Sequence, residues 1–127
     1  MPALLNHTIV WSSDRTQSAR FLAEMLGLSS PLRFGLFDVV ELGNGVSLDF
    51  ADLAGPIQAQ HYAFLISEAD FDAVISRIRK QGLEYWADPM RRRSGEINHN
   101  DGGRGVYFQS PDGHFLEVIT RPYGGDG

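Results

Sequence analysis

The sequence predicts an α+β fold built from two tandem βαβββ modules. Three observations predict it: an internal repeat, a helix signal behind the first strand of each half, and a tight-turn motif before the last strand of each half. The strand Leu5–Trp11 matches Ala59–Leu65 in apolar pattern and in its single histidine, with His61 lying 54 residues after His7. Within a single domain of 127 residues, we expect module one at about 3–52, a linker at 53–58 and module two at about 59–122.

A helical period follows the first strand of each half. The polar pair Ser13-Asp14 precedes the first period, and Ser67 with Asp70 three residues later precedes the second. Both are N-cap signals, because their side-chain oxygens accept hydrogen bonds from the free N–H groups of a first helical turn. Gly27 and Gly82 follow the two periods and are typical of helix C-termini.

Short strands complete each half, joined by turns at Gly43-Asn44-Gly45 and Ser110–Gly113. Aligning these turns places Asp49 opposite Glu117, so each half carries a carboxylate on its last strand. The polar segment 88–105 has no counterpart in the first half and is interpreted as a lid or surface loop. The strands are predicted at Arg33–Phe37, Asp38–Leu42, Val46–Ala51, Glu84–Trp86, Val106–Gln109 and Phe115–Thr120.

Composition narrows the classes of function. The chain has no cysteine, which excludes disulfides, thiolate metal sites and cysteine nucleophiles. A net charge of −5, with one short basic cluster at Arg91–Arg93, argues against nucleic-acid binding. The chain carries neither a membrane-length apolar run nor a leader pattern. We therefore expect a cytoplasmic protein without nucleic-acid or membrane partners, whose metal, if present, is bound by nitrogen and oxygen.

These features resemble the vicinal oxygen chelate superfamily, which includes glyoxalase I, extradiol dioxygenases, fosfomycin-resistance transferases and bleomycin-resistance proteins. The resemblance runs from Leu4 to about Pro122 and is carried by Leu5-Asn6-His7, His61–Phe64 and the hairpin Val106–Glu117. It implies that the two modules curl into a half-open, mostly antiparallel, barrel-like sheet with the helices outside. It also implies a small-molecule substrate.

The resemblance assigns His7, His61 and Glu117 as metal ligands and Asp49 as an optional fourth. A histidine in an apolar strand is more often a core residue than a ligand. Four polar groups at repeat-equivalent positions are harder to explain by packing, since an unpartnered buried carboxylate is unfavourable. Two imidazoles and a carboxylate suit Fe²⁺, Mn²⁺, Zn²⁺, Ni²⁺ or Co²⁺ and leave positions open for a substrate with adjacent oxygens.

Other residues are candidates for substrate binding or for structure alone. Tyr107 matches a substrate-binding tyrosine of fosfomycin-resistance proteins, or else forms a cross-strand aromatic pair. Trp11 follows His7 on the predicted cavity wall, and Arg121 follows Glu117 along its strand. His99, in the inserted loop, is either an acid or base that closes over the site or an idle surface residue. Further assignments are a structural role for His114 and either anion binding or solvation for Arg91–Arg93 and Arg104.

The resemblance favours a metal-dependent enzyme with redox-neutral isomerase or lyase chemistry. Glu117 or Asp49 would serve as the base and Tyr107 as a further catalytic group. The alternatives are an extradiol-type dioxygenase and an antibiotic-resistance protein of the fosfomycin or bleomycin type. Against the fosfomycin type, the only lysine is Lys80, on a predicted helix. A homodimer is expected, with sites either shared between subunits or closed within one chain.

Overall fold

The structure is a computed structural model that describes residues 1–124. The chain divides into two compact units, the first spanning Met1–Gln58 and the second beginning at Ala59. Each unit combines one α-helix with an open mixed sheet, which confirms the predicted α+β class. Across the described residues three of the five strand pairs are antiparallel. No helix in this part of the chain has the length and apolar character needed to cross a membrane.

The first unit is a four-stranded sheet with the spatial order β1-β4-β3-β2. The first strand of the unit pairs in parallel with its last strand. The first strand therefore lies beside the hairpin that closes the predicted module. In this register His7 lies opposite Ser47 and Ile9 lies opposite Asp49. The elements are β1 (His7–Ser12), α1 (Arg15–Leu26), β2 (Leu32–Phe34), β3 (Phe37–Glu41) and β4 (Ser47–Asp52).

The predicted caps of α1 are confirmed. The Asp14 carboxylate accepts the backbone N–H of Gln17 at 3.1 Å, satisfying one free donor of the first turn. Gly27 ends the helix at φ +69°, and this left-handed conformation is most favourable for a residue without a side chain.

The second unit is a three-stranded sheet with the order β5-β7-β6. The central strand β7 pairs in parallel with β5 and antiparallel with β6. Because β7 lies between the other two, Glu117 has Ala63 opposite it on one side and Tyr107 on the other. The elements are β5 (His61–Leu65), α2 (Glu68–Lys80), β6 (Gly105–Gln109) and β7 (Phe115–Ile119), with a 3-10 turn at Asn100–Gly102.

The second helix begins and ends where the sequence predicts. The Ser67 hydroxyl accepts the N–H of Asp70 at 3.1 Å, and Gly82 follows the helix at φ +68°. On the neighbouring sheet, Leu116 and Val118 of β7 are buried and alternate with Glu117, so their side chains lie on the opposite face of the strand from Glu117. The helix buries an apolar face made of Phe71, Val74, Ile75 and Ile78.

Two predicted strands differ from the structure. Glu84–Trp86 is not a strand: only Trp86 forms bridges, one to Ser94 and one to Tyr107. The inserted loop leaves the sheet directly after Trp86. The pairing of this segment with β6 is therefore limited to the single bridge from Trp86 to Tyr107. The strand predicted at Arg33–Phe37 is broken by Gly35, whose φ of +57° turns the chain between β2 and β3.

The inserted segment is tied to the second unit by hydrogen bonds. The buried Asn98 amide donates to the Ala87 carbonyl at 2.8 Å and accepts the N–H of Asn100 at 3.1 Å. The Asp88 carboxylate accepts backbone N–H groups of Arg92 and Arg93. Burial raises the pKa of Asp88, but these hydrogen bonds outweigh it, and the net pKa lies below the ordinary value.

Candidate functional site

His61 and Glu117 meet on the face of the second sheet that does not carry Leu116 and Val118. The Nε2 atom of His61 lies 3.1 Å from Oε1 of Glu117. The two residues come from neighbouring parallel strands, offset by two positions along β7, so their side chains emerge from the same face. The structure therefore brings together the two second-module residues that the family resemblance assigns as metal ligands, and the assignment itself remains a prediction.

The other nitrogen of His61, Nδ1, also faces an oxygen atom. Nδ1 lies 3.2 Å from the carbonyl oxygen of Phe115, and a carbonyl only accepts, so Nδ1–H is the donor. In the neutral imidazole this leaves a lone pair on Nε2, facing a carboxylate oxygen. Two electron-rich atoms at this separation need a cation between them, either a proton or a metal ion. The donor pair therefore fits a divalent metal, and the Phe115 carbonyl orients the ring for it.

Glu117 is a buried carboxylate with an aromatic partner. It is 1% exposed, and the Tyr123 hydroxyl lies 2.7 Å from each of its carboxylate oxygens. Burial and then this hydrogen bond raise the pKa of Tyr123, so the hydroxyl keeps its proton and donates. Tyr123 comes from the segment after β7. Its hydroxyl therefore supplies, from outside the sheet, a hydrogen-bond partner for the Glu117 carboxylate on the central strand.

Tyr107 completes the cluster from β6. Its ring stacks beside the His61 imidazole, with ring centroids 6.1 Å apart and planes at 25°. Burial, followed by hydrogen bonds with Tyr123 and Glu117, raises the pKa of Tyr107 well above its ordinary range. Tyr107 therefore remains a neutral hydroxyl at physiological pH, suited to donating a hydrogen bond rather than to acting as a base.

The remaining predicted ligands lie in the first unit. His7, on β1, is exposed and its Nδ1 donates to the Asn6 side chain at 2.7 Å. Asp49, on β4, is half-buried and accepts the Ser47 hydroxyl at 2.9 Å. Among residues 1–124, no group of three or more His, Asp or Glu side chains is arranged to hold a metal ion. The assignments of His7 and Asp49 thus remain predictions.

A cavity of about 170 Å³ adjoins His61 within the second unit. The inserted loop forms part of its wall through Pro89 and Arg91. The guanidinium of Arg91 lies 5.2 Å from the centre of the Phe115 ring. The other lining residues, apart from His61, are the aromatic side chains of Trp86, Tyr107, Phe108 and Phe115.

Three predicted substrate-binding residues lie elsewhere. Trp11 lines a different cavity, of about 290 Å³, in the first unit. His99 is exposed and directly precedes the 3-10 turn. Arg121 lies beyond the end of β7, with its side-chain stem close to Gly103. Their substrate-binding roles remain predictions.

Two further residues help to define the site. His114 is buried, and its Nδ1 accepts the N–H of Gln60 at 3.0 Å, in keeping with the structural role predicted for it. Sequence reasoning missed Tyr123, because it lies outside every periodic element. The only signal was an aromatic residue in a glycine-rich chain end.

The two units and the His–carboxylate pair define a class of protein. The chain belongs to the Glyoxalase/Bleomycin resistance protein/Dioxygenase superfamily, whose family model matches residues 4–118. This membership confirms the resemblance stated from the sequence.

Relatives within this class have narrower names. Two solved structures, named oxidase ChaP-H1 and oxidase ChaP-H2, are 60% and 61% identical to the chain, with TM-scores of 0.95 and 0.97. ChaP-H1 matches 98% of this chain and 100% of its own; ChaP-H2 matches both completely. The glutathione transferase FosA of Serratia marcescens is 31% identical over 120 residues, which cover 90% of this chain and 78% of FosA.

Proposed function

We propose that this protein is a metal-dependent enzyme that oxidises a small organic substrate with dioxygen. One observation carries the proposal: identity of 60% and 61% to two proteins named oxidases, over essentially the full length of each. The sequence favoured redox-neutral isomerase or lyase chemistry over dioxygenase chemistry. We reverse that order here because of the identity to the two oxidases, since chains this similar over their full length commonly keep the same kind of active site.

The metal ligands in this proposal are His61, Glu117 and His7. The first two are supported by their 3.1 Å contact and by the orientation of the His61 ring. His7 is included because the family resemblance assigns that role to the first-strand histidine of each module. A redox-active divalent ion such as Fe²⁺, held by these residues, would relay electrons from the substrate to dioxygen and would act as a Lewis acid. With Asp49 left out of the ligand set, more positions stay open for substrate and dioxygen.

The chain's own residues orient and shield the reacting groups. The Phe115 carbonyl and the Tyr123 hydroxyl hold the two ligands in position. Tyr107, beside His61, offers a neutral hydroxyl that can donate a hydrogen bond to a substrate oxygen. The aromatic walls of the cavity provide an apolar surface against which a substrate ring can pack.

We consider two electron balances, both of which need only the substrate and dioxygen. Dioxygen either takes two electrons and two protons from the substrate and leaves as hydrogen peroxide, or adds both of its atoms to the substrate. Catalase returns half of the oxygen consumed in the first case and none in the second. An oxygen electrode with a panel of catechols, run with and without catalase, therefore identifies the balance.

A second experiment tests the site without a known substrate. Nitric oxide, a stable stand-in for dioxygen, should give an electron paramagnetic resonance signal with the Fe²⁺-loaded protein. The signal should be lost in His61→Ala, while an exposed substitution such as Glu84→Gln should retain it. Absence of both the signal and oxygen uptake in the wild-type protein would refute the proposal.

Thiol transfer to fosfomycin is the second candidate function. The 31% identity to FosA over most of its length favours it. The only lysine, Lys80, ends α2 and is exposed, so the residue used to bind the phosphonate in the fosfomycin-resistance relatives has no counterpart. Expression in a sensitive bacterium should therefore leave fosfomycin tolerance unchanged, and a rise in tolerance would favour this function instead.

A homodimer is part of the proposal, because the family resemblance implies one. In that arrangement His7 joins the ligands of either its own chain or the second subunit. Mixing His7→Ala protein with Glu117→Ala protein separates the two cases. A shared site restores one intact site per heterodimer, whereas a site closed within one chain stays defective in both.

A further inference from the structure

Arg91 is held in an unfavourable backbone conformation at the wall of the cavity beside His61. Its φ is +59°, in the left-handed region that residues with a Cβ atom seldom adopt. A tight turn maintains this conformation, since the N–H of Arg91 donates to the Asp88 carbonyl at 3.2 Å. The next two N–H groups donate to the Asp88 carboxylate. The loop therefore presents this side chain in a defined direction, and such conformations are enriched at functional sites.

The guanidinium of Arg91 has no anionic partner. Across residues 1–124 it forms no ion pair and no hydrogen bond, and its one contact of note is the Phe115 ring. The other arginines of the inserted segment are used differently. Arg93 pairs with Glu96 at 3.2 Å. Arg104 bonds Glu68 at 2.7 Å and Asp72 at 2.8 Å.

The cavity has the size and lining for one aromatic ring. Its volume is about 170 Å³, and an apolar cavity of about 150 Å³ is known to bind benzene. Aromatic side chains form most of the wall, and these favour a flat, apolar ligand. The polar side-chain groups among the lining residues are those of His61, Tyr107 and Arg91 and the indole N–H of Trp86, and Arg91 carries the permanent positive charge among them.

We propose that Arg91 is a specificity residue that binds the carboxylate of an aromatic acid while the ring lies in the cavity beside His61. A carboxylate is favoured over other anions because the planar guanidinium can form two parallel hydrogen bonds with it. This inference deepens the proposed function and relies on it for the reaction that follows binding. It predicts substrates that carry both an aromatic ring and an ionised carboxylate.

Benzoate and its uncharged isostere benzamide are the probes. The chain has two tryptophans, so Trp11→Phe protein reports binding through the fluorescence of Trp86, which lines the cavity. The metal-loaded protein should bind benzoate with a Kd about tenfold or more below that for benzamide, as expected for a hydrogen-bonded charge pair.

Three variants in this background locate the effect. Arg91→Gln should raise the benzoate Kd about tenfold and leave the benzamide Kd within about twofold, because only the charged contact is lost. Arg91→Lys should keep a preference for benzoate at lower affinity. Arg92→Gln is the matched control, since Arg92 is an exposed neighbour that does not line the cavity, and it should behave as the parent.

Several results would overturn the inference. These are absence of saturable benzoate binding, equal Kd values for benzoate and benzamide in the parent, unchanged benzoate binding in Arg91→Gln, or an equal loss in Arg92→Gln. The measurement involves no turnover and no oxygen. If the protein proves not to be an oxidase, the benzoate Kd values still test the role of Arg91. If Arg91→Gln leaves benzoate binding unchanged, the oxidase proposal is unaffected.

Discussion

The Nε2 atom of His61 faces the Oε1 atom of Glu117 at 3.1 Å, with the Nδ1–H of the same ring directed at a backbone carbonyl. Both atoms therefore present lone pairs to one point when the histidine is neutral. The carboxylate is 1% exposed, and such a charge is stable only with a partner. This pair is the basis of the metal-binding predictions below.

Removing either member of the pair should abolish tight metal binding. We expect His61→Ala and Glu117→Gln to lower the affinity for Mn²⁺ or Fe²⁺ by roughly a hundredfold or more. Loss of a residue that only orients a ligand lowers metal affinity by about 10- to 100-fold, and loss of a ligand itself should cost at least as much. Isothermal titration calorimetry and metal analysis after dialysis measure the change. Glu84→Gln, an exposed acid without an ion pair in the described residues, is the control and should match wild type. Wild-type affinity in His61→Ala would contradict the metal site.

Tyr123→Phe should weaken metal binding while the fold persists. The hydroxyl contacts both oxygens of Glu117 at 2.7 Å, and outer-shell partners of this kind change metal affinity by about 10- to 100-fold. The Co²⁺ absorption spectrum should shift as well, because the carboxylate is free to reorient. Tyr85→Phe is the matched control, because within residues 1–124 the hydrogen bond of the Tyr85 hydroxyl is to Arg79 and not to Glu117. Equal affinities in the two variants would show that Tyr123 does not position Glu117.

Asn98→Ala should loosen the inserted loop. The buried amide bonds the Ala87 carbonyl and the Asn100 N–H, and its loss leaves these groups unpaired, costing about 1–3 kcal/mol of unfolding free energy. Urea unfolding measures the stability, and hydrogen exchange should show faster exchange across residues 88–104. Asn100→Ala removes an exposed side chain from the same loop and should change neither quantity. Unchanged exchange in Asn98→Ala would mean that other contacts hold the loop.

Glu68 should stabilise the protein at neutral pH but not in acid. Hydrogen bonds from the Thr120 hydroxyl and the Arg104 guanidinium lower the pKa of this exposed carboxyl below its ordinary 4.5. A lowered folded-state pKa gives stability that is present above the unfolded pKa and is lost as pH falls through the folded pKa.

The test compares urea midpoints at pH 7 and pH 3. Glu68→Gln should have a lower midpoint than wild type at pH 7, and the gap should close at pH 3. Added salt should narrow the gap at pH 7, because the pair is exposed. Glu84→Gln should show no comparable gap. A gap that persists in acid would point to packing rather than charge as its origin.

Local signals predicted much of the fold. Both helices begin at the predicted caps, Asp14 and Ser67, and end before the predicted glycines, because capping depends on residues within one turn of each other. The two wrong strand predictions each depend on one residue whose sequence signal is compatible with two local structures. The sequence predicts a strand that includes Gly35, but this residue turns the chain. Trp86 has a strand-like pattern but pairs through isolated bridges only.

The candidate site was predicted less completely. His61 and Glu117 were identified because repeat symmetry and family resemblance mark them independently of any contact. Tyr123 was missed, since its role comes from a side chain that reaches back onto β7. The arginines could not be separated by sequence either, because Arg91 and Arg104 differ only in whether an acidic partner lies nearby.

The sequence by itself determined the α+β class, the helix ends and the family, and it predicted His61 and Glu117 as second-module metal ligands, a role that stays a prediction. These properties depend on hydrophobic period, capping and motif, all of which act over a few residues. The tertiary structure alone decided that the Tyr123 hydroxyl donates to Glu117, that the Phe115 carbonyl lies 3.2 Å from Nδ1 of His61, and that Arg91 lies at the cavity without an anionic partner within residues 1–124. Those outcomes depend on distances between atoms from different strands and loops, which pairing and packing establish only in the folded chain.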